Sequence, residues 1–288
     1  MNVIRRREFL MGSAVIAGLR RARAETRDRA KLDRVAIMTL CFSRILKSAA
    51  HADDPARTLD LFDVPEMFAD RYGVHHVEVQ HSHFASTEPA YLREFRSRLQ
   101  KAKSQMNQIC LEFGPLNISA PEPVLRLETI DLTKQWIDHA VVLGCPRVMV
   151  NQGTLAPEVR QDAIATLKTV GDYGKSKNVK VTMENRGVGP SWDVVVEAIK
   201  GAGIWANPDV GNFPDEEARA AGLRVMYPLS SGSSHCHYDP EKYDEAKAIQ
   251  ISKQVGYRGL YSIEASRNNG PDPYVAVQTI LDELLKDI

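Results

Sequence analysis

The 288-residue sequence has no apolar run reaching the ~18 residues that a membrane-crossing helix needs. Net charge is also missing. The 37 Lys and Arg balance 37 Asp and Glu, and a chain without a cationic field lacks the non-specific phosphate attraction on which nucleic-acid binders rely. Cysteine is scarce: Cys41, Cys110, Cys145 and Cys236 lie far apart in or beside apolar runs, with no CxxC pair. That spacing excludes a thiolate zinc knuckle and reads as small buried hydrophobes, not a disulfide framework. No GxGxxG follows the first strand-like segment, and no P-loop lysine follows the turn Gly187-Val188-Gly189-Pro190. Neither a dinucleotide site nor a phosphate loop is expected.

The charge that is present is unevenly placed. Residues 1–24 hold Arg5, Arg6, Arg7, Arg20, Arg21 and Arg23 against Glu8, a local net of +5, which leaves −5 for the other 264 residues. Arg5-Arg6-Arg7-Glu8-Phe9-Leu10 precedes a weakly apolar stretch over 11–19, then Ala22-Arg23-Ala24. A basic head, an apolar middle and an A-x-A site make a secretory leader, and paired arginines before Phe-Leu resemble the twin-arginine type. The expected organisation is a leader over 1–24, a linker over 25–32 and one domain over 33–288. The twin-arginine export machinery is then a partner and the periplasm the destination.

From residue 34 onward a short β-rich run, a polar turn and an amphipathic stretch recur. Strands are predicted over 34–43, 75–83, 108–114, 146–152, 179–185, 204–210, 233–237 and 259–265. Helices are predicted over 89–105, 124–143, 157–176, 191–202, 244–255 and 273–287. Pro157 and Glu158 suit a first turn and Ser191 an N-cap, while Gly73, Gly144, Gly203 and Gly256 mark helix ends. Residues 214–231 are ambiguous, with helical spacing over 216–222 but loop chemistry around Pro228 and Ser230. Eight evenly spaced units favour a single-domain (β/α)8 TIM barrel over a doubly wound open sheet.

Inward strand positions of such a barrel are expected to be apolar except at the carboxyl ends, where sites are built. There the sequence turns polar. Strand five ends in Glu184-Asn185-Arg186, strand six runs on to Asp209 and Asn212, strand seven holds His235 and His237, and strand eight ends in Glu264. The separations from 184 to 209, 209 to 235 and 235 to 264 are 25, 26 and 29 residues, one strand-helix unit each. Four metal-capable side chains thereby fall at one height on adjacent strands. Singly, each has a plainer reading: a helix-start charge, a turn aspartate, a core histidine. In register they form a hard, oxygen-rich set for Mn²⁺, Mg²⁺, Co²⁺ or Zn²⁺, and three carboxylates half-buried without a cation would cost on the order of several kcal/mol.

These segments, with Pro208-Asp209-Val210-Gly211-Asn212-Phe213 and Gly256-Tyr257-Arg258-Gly259-Leu260-Tyr261-Ser262-Ile263-Glu264, resemble the xylose-isomerase-like TIM-barrel superfamily. That group holds sugar isomerases and epimerases and also endonuclease IV-type enzymes. The similarity runs over residues 75 to 266 and is most specific in the last two strands. It implies that Glu184, Asp209, His235 and Glu264 bind the metal. His237 stands where many relatives have Lys, and Asn212 where ketose 3-epimerases usually carry His.

The expected chemistry follows. A cation on a hydroxy-carbonyl sugar acidifies a C–H, one of Glu184 and Glu264 removes the proton and the other returns one, and a cis-enediolate is held on the metal. The resemblance implies this pairing for epimerases. His81, His83, Asn151, Arg186, Asn212 and His237 are candidate substrate contacts. No Arg or Lys cluster marks a phosphate cradle, so the expected substrate is a non-phosphorylated sugar or keto-sugar. The alternative on the same scaffold is a lyase or dehydratase acting on a keto-sugar, keto-inositol or 3-keto-glycoside. Weaker ones are an abasic-site endonuclease, disfavoured by the acidic body, and a non-catalytic metal-dependent sugar binder. Homo-oligomerisation is left open, and nucleic acid is not expected as a partner.

Overall fold

The computed structural model describes residues 29–48, 51, 53–186, 191–266 and 269–288, so the leader expected over 1–24 and the Gly187-Val188-Gly189-Pro190 segment lie outside the described residues. Its centre is eight parallel strands, β1 (Val35–Met38), β2 (His76–Gln80), β3 (Gln105–Cys110), β4 (Arg147–Val150), β5 (Lys180–Glu184), β6 (Trp205–Asn207), β7 (Ser233–Cys236) and β8 (Leu260–Ile263). An α-helix follows each: α1 (Val64–Tyr72), α2 (Pro89–Lys101), α3 (Pro123–Leu143), α4 (Arg160–Ser176), α5 (Trp192–Ala202), α6 (Glu216–Met226), α7 (Glu245–Gln254) and α8 (Pro273–Asp287). Strands pair in the order β6-β5-β4-β3-β2-β1-β8-β7. Between β6 and β7 the ring meets only through the isolated bridges Ala206↔Ser230 and Asp209↔His235, the second made by His235 N to Pro208 O at 2.9 Å and Val210 N to His235 O at 3.2 Å. The expected single-domain (β/α)8 barrel is thus the fold, nearly closed.

Local chemistry explains the helix ends. Gly73, Gly144 and Gly203 stop α1, α3 and α5 at φ of 66°, 70° and 65°, a conformation that costs a side-chain-bearing residue about 1 kcal/mol. Three boundaries differ from those read in the sequence. Helix α1 was not anticipated, although its stop was; it buries Val64, Pro65, Phe68 and Tyr72. Pro157 and Glu158 lie in a turn, and α4 starts at Arg160. Helix α6 starts at Glu216, where Asp215 caps it by accepting from Ala218 N, and runs on to Met226, while Pro228 falls in a following 3-10 turn. Ser191 does occupy the N-cap of α5, but without a side-chain hydrogen bond.

The apolar core lies between strands and helices, where Val77, Val148, Val181 and Ile263 pack with Phe95, Ile137, Leu167 and Val195. The expectation of an apolar barrel interior below the mouth is wrong. Glu78, Asn107, Gln108, Thr182, Asn207, Ser233 and Ser262 are fully buried and bonded to one another across the ring: Gln108 Nε2 donates to Glu78 at 3.0 Å and to Asn207 at 3.3 Å, and Thr182 Oγ1 to Gln108 at 2.8 Å. Buried polar groups are tolerated when they satisfy each other in this way. The four cysteines are free, and Cys110, Cys145 and Cys236 are buried as expected. No helix among the described residues is long and apolar enough to cross a membrane.

Candidate metal centre

Strand ends bring the four expected ligands together. Glu184 is the last residue of β5, Asp209 lies two beyond β6, His235 is inside β7 and Glu264 is one past β8. Parallel pairing in register, with Glu184 opposite Asn207 and His235 opposite Ser262, sets them at one level. One ligand atom from each lies within 4.8 Å of the others. His235 Nδ1 is 2.9 Å from Glu184 Oε2, 3.1 Å from Glu264 Oε2 and 3.9 Å from Asp209 Oδ2.

Two buried atoms test whether an ion fits. His235 Nδ1 and Glu184 Oε2 are buried and make no hydrogen bond, although they lie 2.9 Å apart. Atoms of that kind ordinarily find a partner; here both face the common point of the four residues, as metal ligands do. The field agrees. Burial would lower the His235 pKa, yet the carboxylates of Glu78, Glu184 and Glu264 raise it well above its ordinary value, so positive charge is favoured at the centre. One imidazole and three carboxylates fit a hard divalent cation.

The xylose isomerase-like TIM barrel family model matches residues 68–284. The chain belongs to this family. No curated protein matches it in sequence. Among solved structures, D-psicose 3-epimerase with D-tagatose from Clostridium cellulolyticum H10 superposes with a TM-score of 0.71 at 12% identity, over 88% of this chain and 99% of that one. A xylose isomerase-like TIM barrel protein from Mycobacterium smegmatis in complex with magnesium gives 0.65 at 16%, over 89% and 97%. A xylose isomerase domain protein from Planctomyces limnophilus gives 0.65 at 15%, over 88% and 96%.

Around the ligands this family member places the expected substrate contacts in two groups. His237 Nε2 meets Asp209 Oδ2 at 3.0 Å, and Asn212 Nδ2 donates to the same oxygen at 2.7 Å. Asn185 braces that side, donating to the Asp209 and Asn212 carbonyls at 2.9 and 3.0 Å. On the other side Arg186 bridges Glu184 at 3.1 Å and Glu112 at 2.7 Å; Asn151 donates to Glu112, and Glu112 N donates to His81 Nδ1 at 3.2 Å. His83 joins neither group. It is 6% exposed, its Nδ1 bonds Thr39 Oγ1 at 2.8 Å, and burial lowers its pKa to about 4, so the expected substrate contact there is replaced by a core hydrogen bond.

Two participants escaped the sequence reading. Glu112 couples Arg186 to Asn151 without lying at a ligand position. Glu78 sits in mid-strand with its Oε1 2.8 Å from His235 Nε2. A glutamate between Val77 and Val79 in an otherwise buried strand was the available signal, because an unpaired charge there would be costly.

Proposed function

We propose that this chain is a divalent-metal-dependent isomerase or epimerase of a non-phosphorylated sugar or keto-sugar. The reading rests on four ligand atoms converging within 4.8 Å at the barrel mouth, with His235 Nδ1 and Glu184 Oε2 left without hydrogen bonds. Glu184, Asp209, His235 and Glu264 would hold a divalent ion, which would supply Lewis acidity toward a substrate carbonyl and so acidify the neighbouring C–H. Glu184 and Glu264 then move the proton. Their strands stand three steps apart around the ring, so the two carboxylates reach the mouth from different sides. Burial raises the Glu184 pKa. Burial acts likewise on Glu264, but the close approach of His235 and the positive charges of His237 and Arg186 outweigh it and hold the group at about 2. Glu184 is therefore the carboxyl that more readily takes up and carries a proton, while Glu264 stays ionised, a separation of the kind used in paired acid-base work. Arg186 is engaged by two carboxylates and so is not free for a phosphate. The superposed epimerase supports sugar chemistry, and the leader sequence supports delivery to the periplasm.

One observation favours elimination as a second reading. Burial opposes protonation of His237, but Asp209 overrides it and raises the pKa to about 9. Without an ion the ring is thus protonated at neutral pH, and a proton there would serve for expelling a hydroxyl or glycoside while being unnecessary for isomerisation. NMR in D₂O with Mn²⁺-loaded protein and a panel of ketoses, aldoses and 3-keto-glycosides separates the readings. Deuterium at carbon with no group lost is the expected result, and release of water or aglycone establishes the second reading. Neither change with any substrate refutes both. Glu264→Gln should abolish exchange while retaining sugar affinity.

A further inference from the structure

We infer that Glu78 is a positioning residue of the metal centre, whose carboxylate fixes the tautomer and orientation of His235 so that Nδ1 presents its lone pair to the ion. The inference rests on the metal-dependent reading above. Each oxygen of this fully buried carboxylate takes two hydrogen bonds. Oε1 accepts from Gln108 Nε2 at 3.0 Å and meets His235 Nε2 at 2.8 Å, while Oε2 accepts from Asn107 Nδ2 at 2.9 Å and Ser262 Oγ at 2.7 Å. The donors are themselves anchored. Asn107 also bonds Ser233 Oγ at 2.9 Å and accepts from Arg147 Nη1 at 3.2 Å, and Gln108 accepts from Thr182 at 2.8 Å. The carboxylate is thus clamped from β3 and β8 and cannot swing away from β7.

The chemistry of the pair sets the consequence. A carboxylate only accepts, so the hydrogen between the two side chains belongs to His235 Nε2. In the neutral ring Nδ1 then bears the lone pair, and that nitrogen faces Glu184 Oε2 at 2.9 Å and Glu264 Oε2 at 3.1 Å. A hydrogen-bonded carboxylate behind a ligating histidine typically improves metal affinity about 10–100-fold.

The test compares Mn²⁺ binding by calorimetry in wild type, Glu78→Gln and Glu78→Asp, with urea unfolding of the ion-free proteins alongside. The Asp variant keeps the charge but draws the oxygens back by one methylene, which separates positioning from field. Both variants should bind Mn²⁺ about 10–100-fold more weakly, and ¹⁵N NMR of the proteins loaded with diamagnetic Mg²⁺ should show His235 losing its uniform Nε2–H form. Ser262→Ala, which loosens the clamp while keeping the carboxylate, should weaken binding by less and serves if the Glu78 variants do not fold. Lower urea midpoints with wild-type Mn²⁺ affinity and an unchanged ring tautomer would make Glu78 a fold residue and overturn the inference. A wild-type protein that takes up no Mn²⁺ overturns the metal reading itself, and this inference with it.

Discussion

Replacing Glu245 by glutamine should stabilise the protein, increasingly so as pH rises. Glu245 opens α7 with 7% exposure, and its Oε1 is buried without a hydrogen bond. Burial first, then Asp287 and Glu283 on α8, raise its pKa from 4.5 to about 8, against a smaller opposing effect of His237. Between those two values the unfolded chain has released a proton that the folded chain still holds. Stability contributed by the protonated form is complete below about 4.5, declines as pH rises, and is lost by about 8. At 1.36 kcal/mol per pH unit the full loss is at most about 5 kcal/mol. Glutamine has the same shape and cannot ionise. The variant should match wild type near pH 4.5 and exceed it by about 2–4 kcal/mol at pH 8, read from urea midpoints at constant slope and in the presence of a chelator. A difference independent of pH would refute the reasoning, because it would come from packing and not from a proton.

Mn²⁺ at a hundred times its dissociation constant should stabilise wild type by about 2.7 kcal/mol. Asp209→Asn should lose most of that gain; an equal gain in the variant would place the ion elsewhere. A Cβ at Gly211 would sit 2.8 Å from His237 Cδ2, so Gly211→Ala should push His237 off Asp209. Elimination of a hydroxyl or glycoside should slow about tenfold, near 1.4 kcal/mol, with isomerisation and the urea midpoint little changed, and unchanged elimination would remove His237 from that reaction. Arg186→Met should leave Mn²⁺ affinity near wild type and raise KM more than it lowers kcat, which steady-state kinetics over the same substrate panel will show.

The strand-helix rhythm was legible because parallel barrel strands are short, apolar and separated by amphipathic helices; seven of the eight strands lie inside their expected spans, although β1 stops at Met38, where a 3-10 turn begins, and β6 at Asn207, and β3 begins three residues early, at Gln105. The convergence of the four side chains was legible for the same reason, since one unit of spacing repeated between Glu184, Asp209, His235 and Glu264. Contacts across the barrel were not. Glu78 and His235 are 157 residues apart, and no local pattern announces that β2 faces β7 through the interior. His83 shows the converse limit: its type and place suited the mouth, but the turn after β2 carries it toward Thr39. Glu112 was hidden because its importance lies in bridging Arg186 and Asn151, neither of which names it in sequence.

The seam between β6 and β7 gives the centre a second office. Asp209 and His235 are themselves one of the two bridges that close the ring there, so whatever grips both side chains also fastens the barrel's thinnest join. Withdrawing that grip leaves two backbone hydrogen bonds at 2.9 and 3.2 Å and one from Ser234 Oγ to the Pro208 carbonyl at 2.7 Å to hold the 209–235 end of the join, and backbone amides along it should be the first strand amides to exchange with solvent. The side chains of the candidate centre and closure of the cylinder are in this way drawn tight by the same knot.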